Sequence, residues 1–485
     1  MKASLGLSAA LVAANAGSAL AFVSACLADA DVPYFDSCST DWSNVITPYN
    51  RRLPGVTPSA VVYATETEHV QEAVRCAAEN DLKVSVKSGG HNYANFGMGG
   101  EDGHVVVQLD RMPGVVLHED NTATINAGTR LGRVALELYE QGGRGISHGT
   151  CPGVGMGGHA VHGGFGMSSY THGLASDWVI GASVVLDNGT LVHTSATENE
   201  DLFWAIRGAG SSFGIVVDFE VDTFAVPPEV TWMTIDTTLT TAETALAGML
   251  AWQDYVENTM PSEMNMRMFI NSGGARLEIL YHGSEADARA ALEPLEEPLG
   301  FNWNSFFNRV GTGNWLDQMT AYANGETLNQ SYPYTAWDNM YVTNLLTRHI
   351  PETAMESFVD YWFLARAQRS SFWLQMDAYG GANSAVSAVP ASESSYAHRD
   401  KLWLFQFSTG FRETVPFMQG FADSLKDNMA REDWGRYINY VDSELTREEA
   451  QQQYYAENLA RLQQIKAALD PNDRFYYPQS IVGAA

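Results

Sequence analysis

The pattern of apolar and polar positions divides the chain into two stretches of different rhythm. Over residues 54–221 short apolar runs are separated by turn-forming clusters. Val61-Val62-Tyr63 reads as a strand and Thr67 to Asn80 as a helix with Thr67 as its candidate cap. Lys83-Val84-Ser85-Val86-Lys87 alternates like a strand and runs straight into Ser88-Gly89-Gly90-His91. Further strands are predicted at Val105–Leu109, Thr122–Ala127, Val179–Val185 and Ile215–Val221, while residues 141–176 are loop-like and rich in Gly and His.

After Pro227-Pro228 the rhythm changes. Strands are predicted at Thr231–Thr238, Met266–Ile270, Ala275–Tyr281, Ser371–Met376 and Leu402–Phe407. Helices are expected at Ala242–Tyr255 and Ser284–Glu293, the second capped by Ser284 and stopped by Pro294. Runs of strands between helices, without regular alternation, indicate an α+β domain on a mostly antiparallel sheet. Near the end, Thr446-x-x-Glu449 is a capping box. Leu459, Leu462, Ile465 and Leu469 then mark a helix face that Asp470-Pro471 stops.

Composition narrows the partners. The chain has 485 residues, more than one compact domain usually holds, and 45% of them are apolar. Its 57 acidic against 28 basic residues give a net charge of −29, which argues against nucleic acid and anionic membranes. Lys2, the short apolar run Leu5–Val12 and the small-x-small site Ala19-Leu20-Ala21 predict a secretory signal over residues 1–21. No other segment has 18 consecutive apolar residues, so no membrane anchor is expected. Export gives the cysteines meaning: Cys26 and Cys38 compete as the partner of Cys76, and spacing does not decide between them. Asn188-Gly-Thr and Asn329-Gln-Ser are glycosylation acceptors, and a monomer is the default assembly.

Two glycine-rich stretches carry the candidate chemistry: Lys87-Ser-Gly-Gly-His-Asn-Tyr93, and Gly149 through Gly166. Glycines with a serine at a strand end let backbone N–H groups approach a diphosphate. Gly153-x-Gly155-x-x-Gly158 matches the dinucleotide fingerprint, with Asp177 following. Pro152 before it and Gly163-Gly164 after it remove the strand–turn–helix context a nicotinamide site needs. His148, His159, His162 and His172 lie on a flexible glycine-studded loop without an acidic or second cysteine ligand, so no metal is expected.

Ser88-Gly-Gly-His91-x-Tyr93 with Thr150-Cys151-Pro-Gly-Val-Gly-x-Gly-Gly-His159 resembles the flavin-linked oxidases of the vanillyl-alcohol-oxidase and berberine-bridge-enzyme superfamily. More narrowly, the chain is similar to fungal gluco-, chito- and xylo-oligosaccharide oxidases. The likeness extends through Asp201-Leu-Phe-Trp to Gly214-Ile215, Asn439-Tyr-Val-Asp442 and Phe475-Tyr-Tyr-Pro-Gln-Ser-Ile481. It implies an α+β, two-lobed PCMH-type FAD-binding domain at 22–227 and a substrate domain at 228–434 whose large antiparallel sheet is covered by helices. A berberine-bridge-like segment at 435–485 would return to the first domain.

The resemblance also implies FAD held by two covalent bonds, from His91 to the 8α-methyl carbon and from Cys151 to ring carbon C6. The implied cofactor-binding set adds Ser88, Gly89, Gly90, Gly155, Gly158, His159, Gly164, Asp177, Gly214 and Ile215. Tyr440 would be the base, assisted by a hydrogen-bonded Asp377, with Tyr93, Trp373, Gln375 and Gln406 lining the sugar pocket. The implied reaction oxidises the anomeric C1 hydroxyl of a reducing oligosaccharide to a lactone, with O2 reduced to H2O2. The competing reading is an oxidase of a phenolic, alkaloid or other secondary metabolite.

Overall fold

The computed structural model describes residues 22–330, 332–410 and 414–484; the expected signal segment, 1–21, lies outside them. The first sheet holds β1 (Tyr34–Phe35), β2 (Ala60–Tyr63), β3 (Val84–Lys87) and β4 (Val105–Gln108) in the order β1-β2-β4-β3. Its β2-β4 and β3-β4 pairs are parallel, and the valine-rich β2 and β4 are buried throughout, as parallel strands covered on both faces must be. The helix Thr67–Glu79 makes the crossover, burying Val70, Ala73, Val74 and Ala77. Thr67 is its first helical residue rather than its cap; the extended Glu66 precedes it and makes no capping side-chain bond.

The second sheet holds β5 (Val115–Leu117), β6 (Ala123–Asn126), β8 (Val179–Val185), β9 (Leu191–Ser195) and β10 (Ile215–Val221) in the antiparallel order β5-β6-β10-β8-β9. β7 (Arg144–Gly145) and β11 (Phe224–Ala225) form a small ribbon beside it. One apolar core serves both sheets, and the C-terminal segment joins it through Ala450, Tyr454, Leu462, Phe475 and Ile481.

Cys26, on the helical residues 22–29, is bonded to Cys76, and Cys38 is free and exposed. The bond closes a loop with a sequence separation of 50 residues and pins Val23 and Leu27 into the core. For a loop of that size the chain-entropy contribution is about 4 kcal/mol. We expect Cys76→Ser to expose residues 22–32 to amide exchange and proteolysis while the rest of the core stays protected; unchanged protection there would show that apolar packing alone holds the terminus.

The third sheet has eight antiparallel strands: β12 (Val230–Asp236), β13 (Met264–Asn271), β14 (Gly274–Tyr281), β15 (Arg309–Gly313), β16 (Tyr341–Thr347), β17 (Trp373–Ala378), β18 (Trp403–Thr409) and β19 (Trp434–Gly435). Their order is β15-β12-β14-β13-β17-β18-β16-β19. The helices Ala242–Asn258, Glu285–Leu299, Glu352–Ala367 and Val415–Lys426 cover one face through a second core. Glu285–Leu299 runs through Pro294, which does not stop it, because Leu292, Leu295 and Leu299 stay buried in that core along one face. Strand alternation then fixes the opposite face. Met266, Met268 and Ile270 of β13, and Leu374, Met376 and Ala378 of β17, enter the core, so Arg267, Phe269, Trp373, Gln375 and Asp377 point away from it. At the end, Ala456 at φ 43° splits the expected helical region into Arg447–Tyr455 and Leu459–Leu469, which lets Tyr454, Tyr455, Leu462 and Ile465 reach the core shared by the first two sheets.

Candidate active site

A cavity of 560 Å3 lies between the glycine loops and the open face of the large sheet. Ser88, Gly89, Gly90, His91 and Tyr93 enter it from the loop after β3, and Cys151, Gly155, Gly158 and His159 from the second glycine loop. Trp373 and Gln375 of β17, Gln406 of β18 and Tyr440 close the other side.

The two loops touch. A Cβ on Gly89 would lie 2.2 Å from the Gly155 nitrogen, and one on Gly155 would lie 2.1 Å from the Gly89 nitrogen, so both must be glycine. Gly90 turns the first loop at φ 75°, and the Ser88 hydroxyl donates to the Ala127 carbonyl at 2.6 Å. His91 is packed against Tyr49, with ring centroids 4.3 Å apart, and its Nε2 is 2.7 Å from the Tyr334 hydroxyl. Burial, reinforced by the nearby Arg130 cation, lowers the His91 pKa to about 3, so its imidazole is neutral. Cys151 is open to the cavity with a free thiol, and the enclosing protein pushes its pKa up. His159 accepts from the Gly149 N–H at Nε2, 2.9 Å away, and burial brings its pKa to about 3.

On the sheet side, register sets the neighbours. Gln375 sits between Phe269 and Gln406, and Asp377 between Arg267 and Leu404. Gln406 Nε2 donates to the Tyr93 hydroxyl at 3.1 Å, joining the sheet to the first glycine loop. Tyr440 ends the turn Ile438–Tyr440. Asn344 Nδ2 donates to the carbonyls of Tyr437 and Tyr440, at 3.1 and 2.7 Å, and fixes that turn. Asp442, fully buried, accepts from Tyr341 at 2.9 Å and Thr343 at 2.7 Å, which anchors the chain just beyond it.

Asp377 stands behind this wall, buried and not on the cavity surface. Burial raises its pKa to about 7, against the lowering influence of Arg267 and the 2.7 Å hydrogen bond from Gln375 Nε2. The expected direct Tyr440–Asp377 hydrogen bond is not formed among the described residues; the carboxylate accepts from Gln375 Nε2. The two groups are coupled through charge instead. Burial raises the Tyr440 pKa most, and Asp377 is the strongest of the charges acting on it.

Residues 58–195 match the model of the FAD binding domain, and residues 436–482 that of berberine and berberine-like proteins. The chain is 45% identical to the xylooligosaccharide oxidase of Thermothelomyces thermophilus, over 95% of this chain and 94% of that one. It is 41% identical to the glucooligosaccharide oxidase of Sarocladium strictum over 93% of each. The chain belongs to the FAD-linked oligosaccharide oxidases. A solved member, the glucooligosaccharide oxidase of Acremonium strictum described with a 6-S-cysteinyl, 8α-N1-histidyl FAD, superposes with a TM-score of 0.90 at 40% identity, over 96% of this chain and all of that one.

The residues present fit this oligosaccharide-oxidase cofactor. Two glycines that admit no Cβ shape the cradle, and a neutral imidazole and a free thiol open onto the same cavity. His162 on its wall keeps a buried Nε2 without a hydrogen-bond partner among the described residues.

Four of the expected cofactor residues lie elsewhere. The Asp177 carboxylate is bound by Arg399, whose Nη1 donates to it at 2.8 Å, and by the Leu174 N–H at 2.8 Å, so it braces a loop outside the lining of this cavity. Gly164 packs against Ala175 and His159 behind the cavity. Gly214 abuts Val184, and Ile215 opens β10 inside the core. The sequence reading also missed Tyr49, Tyr334, Arg267 and Phe269. Alternation on β13 pointed to Arg267 and Phe269, whereas Tyr49 and Tyr334 lie in segments with no periodic signal.

Proposed function

We propose that this protein is an exported oxidase, working as a monomer, that converts the anomeric C1 hydroxyl of reducing oligosaccharides to a lactone and reduces O2 to H2O2. One observation carries the reading: His91 and Cys151, from separate glycine loops, open onto one cavity whose far wall is Trp373, Gln375, Gln406 and Tyr440. His91 and Cys151 would hold FAD covalently. When bound there, FAD supplies a hydride acceptor and passes the electrons on to O2.

The chain's own groups do the rest. Tyr440 would take the proton of the C1 hydroxyl as Asp377 accepts charge behind it; with a pKa raised to about 7, Asp377 is matched to a proton moving near neutrality. Gln375, Gln406 and Tyr93 would bind sugar hydroxyls, and Trp373, with Phe269 at a centroid distance of 6.2 Å, would give an apolar corner for a sugar ring. This polar, amide-rich wall supports a saccharide over the phenolic or alkaloid substrate of the competing reading. Export is supported by the Cys26–Cys76 bond, which belongs to an oxidising compartment, and by the exposed Asn188 and Asn329. Among the described residues no helix is long and apolar enough to cross a membrane.

The test combines two measurements on the mature protein. Colour that stays with acid-precipitated wild-type protein, and is partly released in the His91→Ala and Cys151→Ala variants, is the expected result, together with peroxide from reducing oligosaccharides. A colourless pellet from wild type, or peroxide only with phenolic substrates, would end this reading.

A further inference from the structure

Arg130 is nearly fully buried, with 5% of its surface exposed, and it sits where the two glycine loops meet. Its Nη1 donates to the Gly89 carbonyl at 2.9 Å and also to the Gly153 carbonyl. Gly89 is two residues before His91 and Gly153 two residues after Cys151, so one guanidinium grips each attachment loop at the same remove. The backbone beside it repeats the link: Arg130 bridges Gly155, the Leu131 N–H donates to Val154 at 2.9 Å, and Ala127 accepts from Ser88. Asp110 faces the guanidinium at 3.7 Å and balances its charge.

A second arm reaches His91 through Tyr334. The Arg130 guanidinium lies 4.0 Å from the centre of the Tyr334 ring, and the Tyr334 hydroxyl is 2.7 Å from His91 Nε2. The path exists only because residue 153 is glycine, since a Cβ there would come within 2.1 Å of that hydroxyl. A neutral imidazole has one N–H and one lone pair; in the tautomer that donates Nε2–H to the Tyr334 hydroxyl, the lone pair is on Nδ1.

We infer that Arg130 is the positioning residue that holds the His91 and Cys151 loops in register, with Tyr334 orienting the His91 ring, so that both side chains can bond one flavin. This rests on the cofactor reading above. Each attachment joins the His91 nitrogen or the Cys151 sulfur to a flavin carbon, with one hydrogen lost from each partner. The two electrons and two protons go to O2, which becomes H2O2. Two bonds to one rigid ring leave little room for error, because a misplacement of about 1 Å can cost a hundred-fold in rate. A planar arginine fork can serve two carbonyls and a ring face at once, which a lysine ammonium on its flexible stem does not.

Arg130→Lys keeps a cation opposite Asp110 and so tests the bridging apart from the charge. In protease digests of the mature protein, the flavin-linked peptide pair containing both His91 and Cys151 should fall at least ten-fold. Singly attached or acid-released flavin should make up the difference. Tyr334→Phe removes one hydroxyl and should depress attachment at His91 while the Cys151 bond still forms. Doubly attached flavin at the wild-type level in Arg130→Lys overturns the inference. Should that variant fail to fold, Tyr334→Phe decides alone, and normal attachment at His91 overturns it. A wild-type protein without covalent flavin would instead strike at the proposed function, so the two failures are distinguishable.

Discussion

Replacing Tyr440 with Phe should leave the protein folded and its flavin attached, yet slow flavin reduction by sugar about a thousand-fold or more. The fold should survive because the turn is held by Asn344 through backbone carbonyls and by Asp442 through Tyr341 and Thr343, none of which uses the Tyr440 hydroxyl. The ring also keeps its edge contact with Tyr437, at 5.1 Å between centroids. Chemistry should fail because Tyr440 lines the cavity and Asp377 does not, so Asp377 cannot take the place of the lost phenol. Losing a positioned base costs about a hundred- to ten-thousand-fold. The check is anaerobic bleaching by oligosaccharide in a rapid-mixing instrument, beside an acid-precipitation test of attachment. Undiminished bleaching would remove Tyr440 from the mechanism.

How far the site could be read beforehand depended on whether its residues sit in periodic segments. Trp373, Gln375 and Asp377 were legible as one face of a strand, and the structure adds that this face sinks inward along β17, from the half-exposed Trp373 to the buried Asp377. Alternation gives the side of a sheet but not the depth, so the replacement of the expected Tyr440–Asp377 bond by Gln375 could not be seen. Asp177 shows the limit of sequence distance: it follows the glycine loop closely, but Arg399, which binds its carboxylate, is 222 positions away in sequence. The Cys26–Cys76 pairing was open for the same reason, because choosing between Cys26 and Cys38 needs the path of the terminal helix across the sheet. Pro294 shows the opposite failure, a strong local signal overridden by the burial of Leu292, Leu295 and Leu299. Tyr334 and Arg130 had no local signal; they matter through what they touch.

Asp377→Asn should lower the rate of sugar oxidation about a hundred-fold while making the folded protein more stable at alkaline pH. The amide keeps the shape and can still accept from Gln375, now 2.7 Å away, but it cannot take a proton, so Tyr440 would have to ionise unaided inside a buried site that opposes it. Wild-type flavin reduction should therefore rise with pH through about 7, the raised pKa of Asp377, and the variant should lose that limb. Stability should move the other way. A carboxyl whose pKa is higher folded than unfolded favours the fold below its unfolded value, near 4, and that contribution is lost as pH rises through about 7. At about 1.4 kcal/mol per pKa unit the Asn variant gains on the order of 4 kcal/mol over wild type at pH 8 and almost nothing at pH 4. Thermal melting at those two pH values reads the difference directly. Equal shifts at both would mean that Asp377 has the same pKa folded and unfolded, and a burial-raised proton acceptor behind Tyr440 would have to be given up.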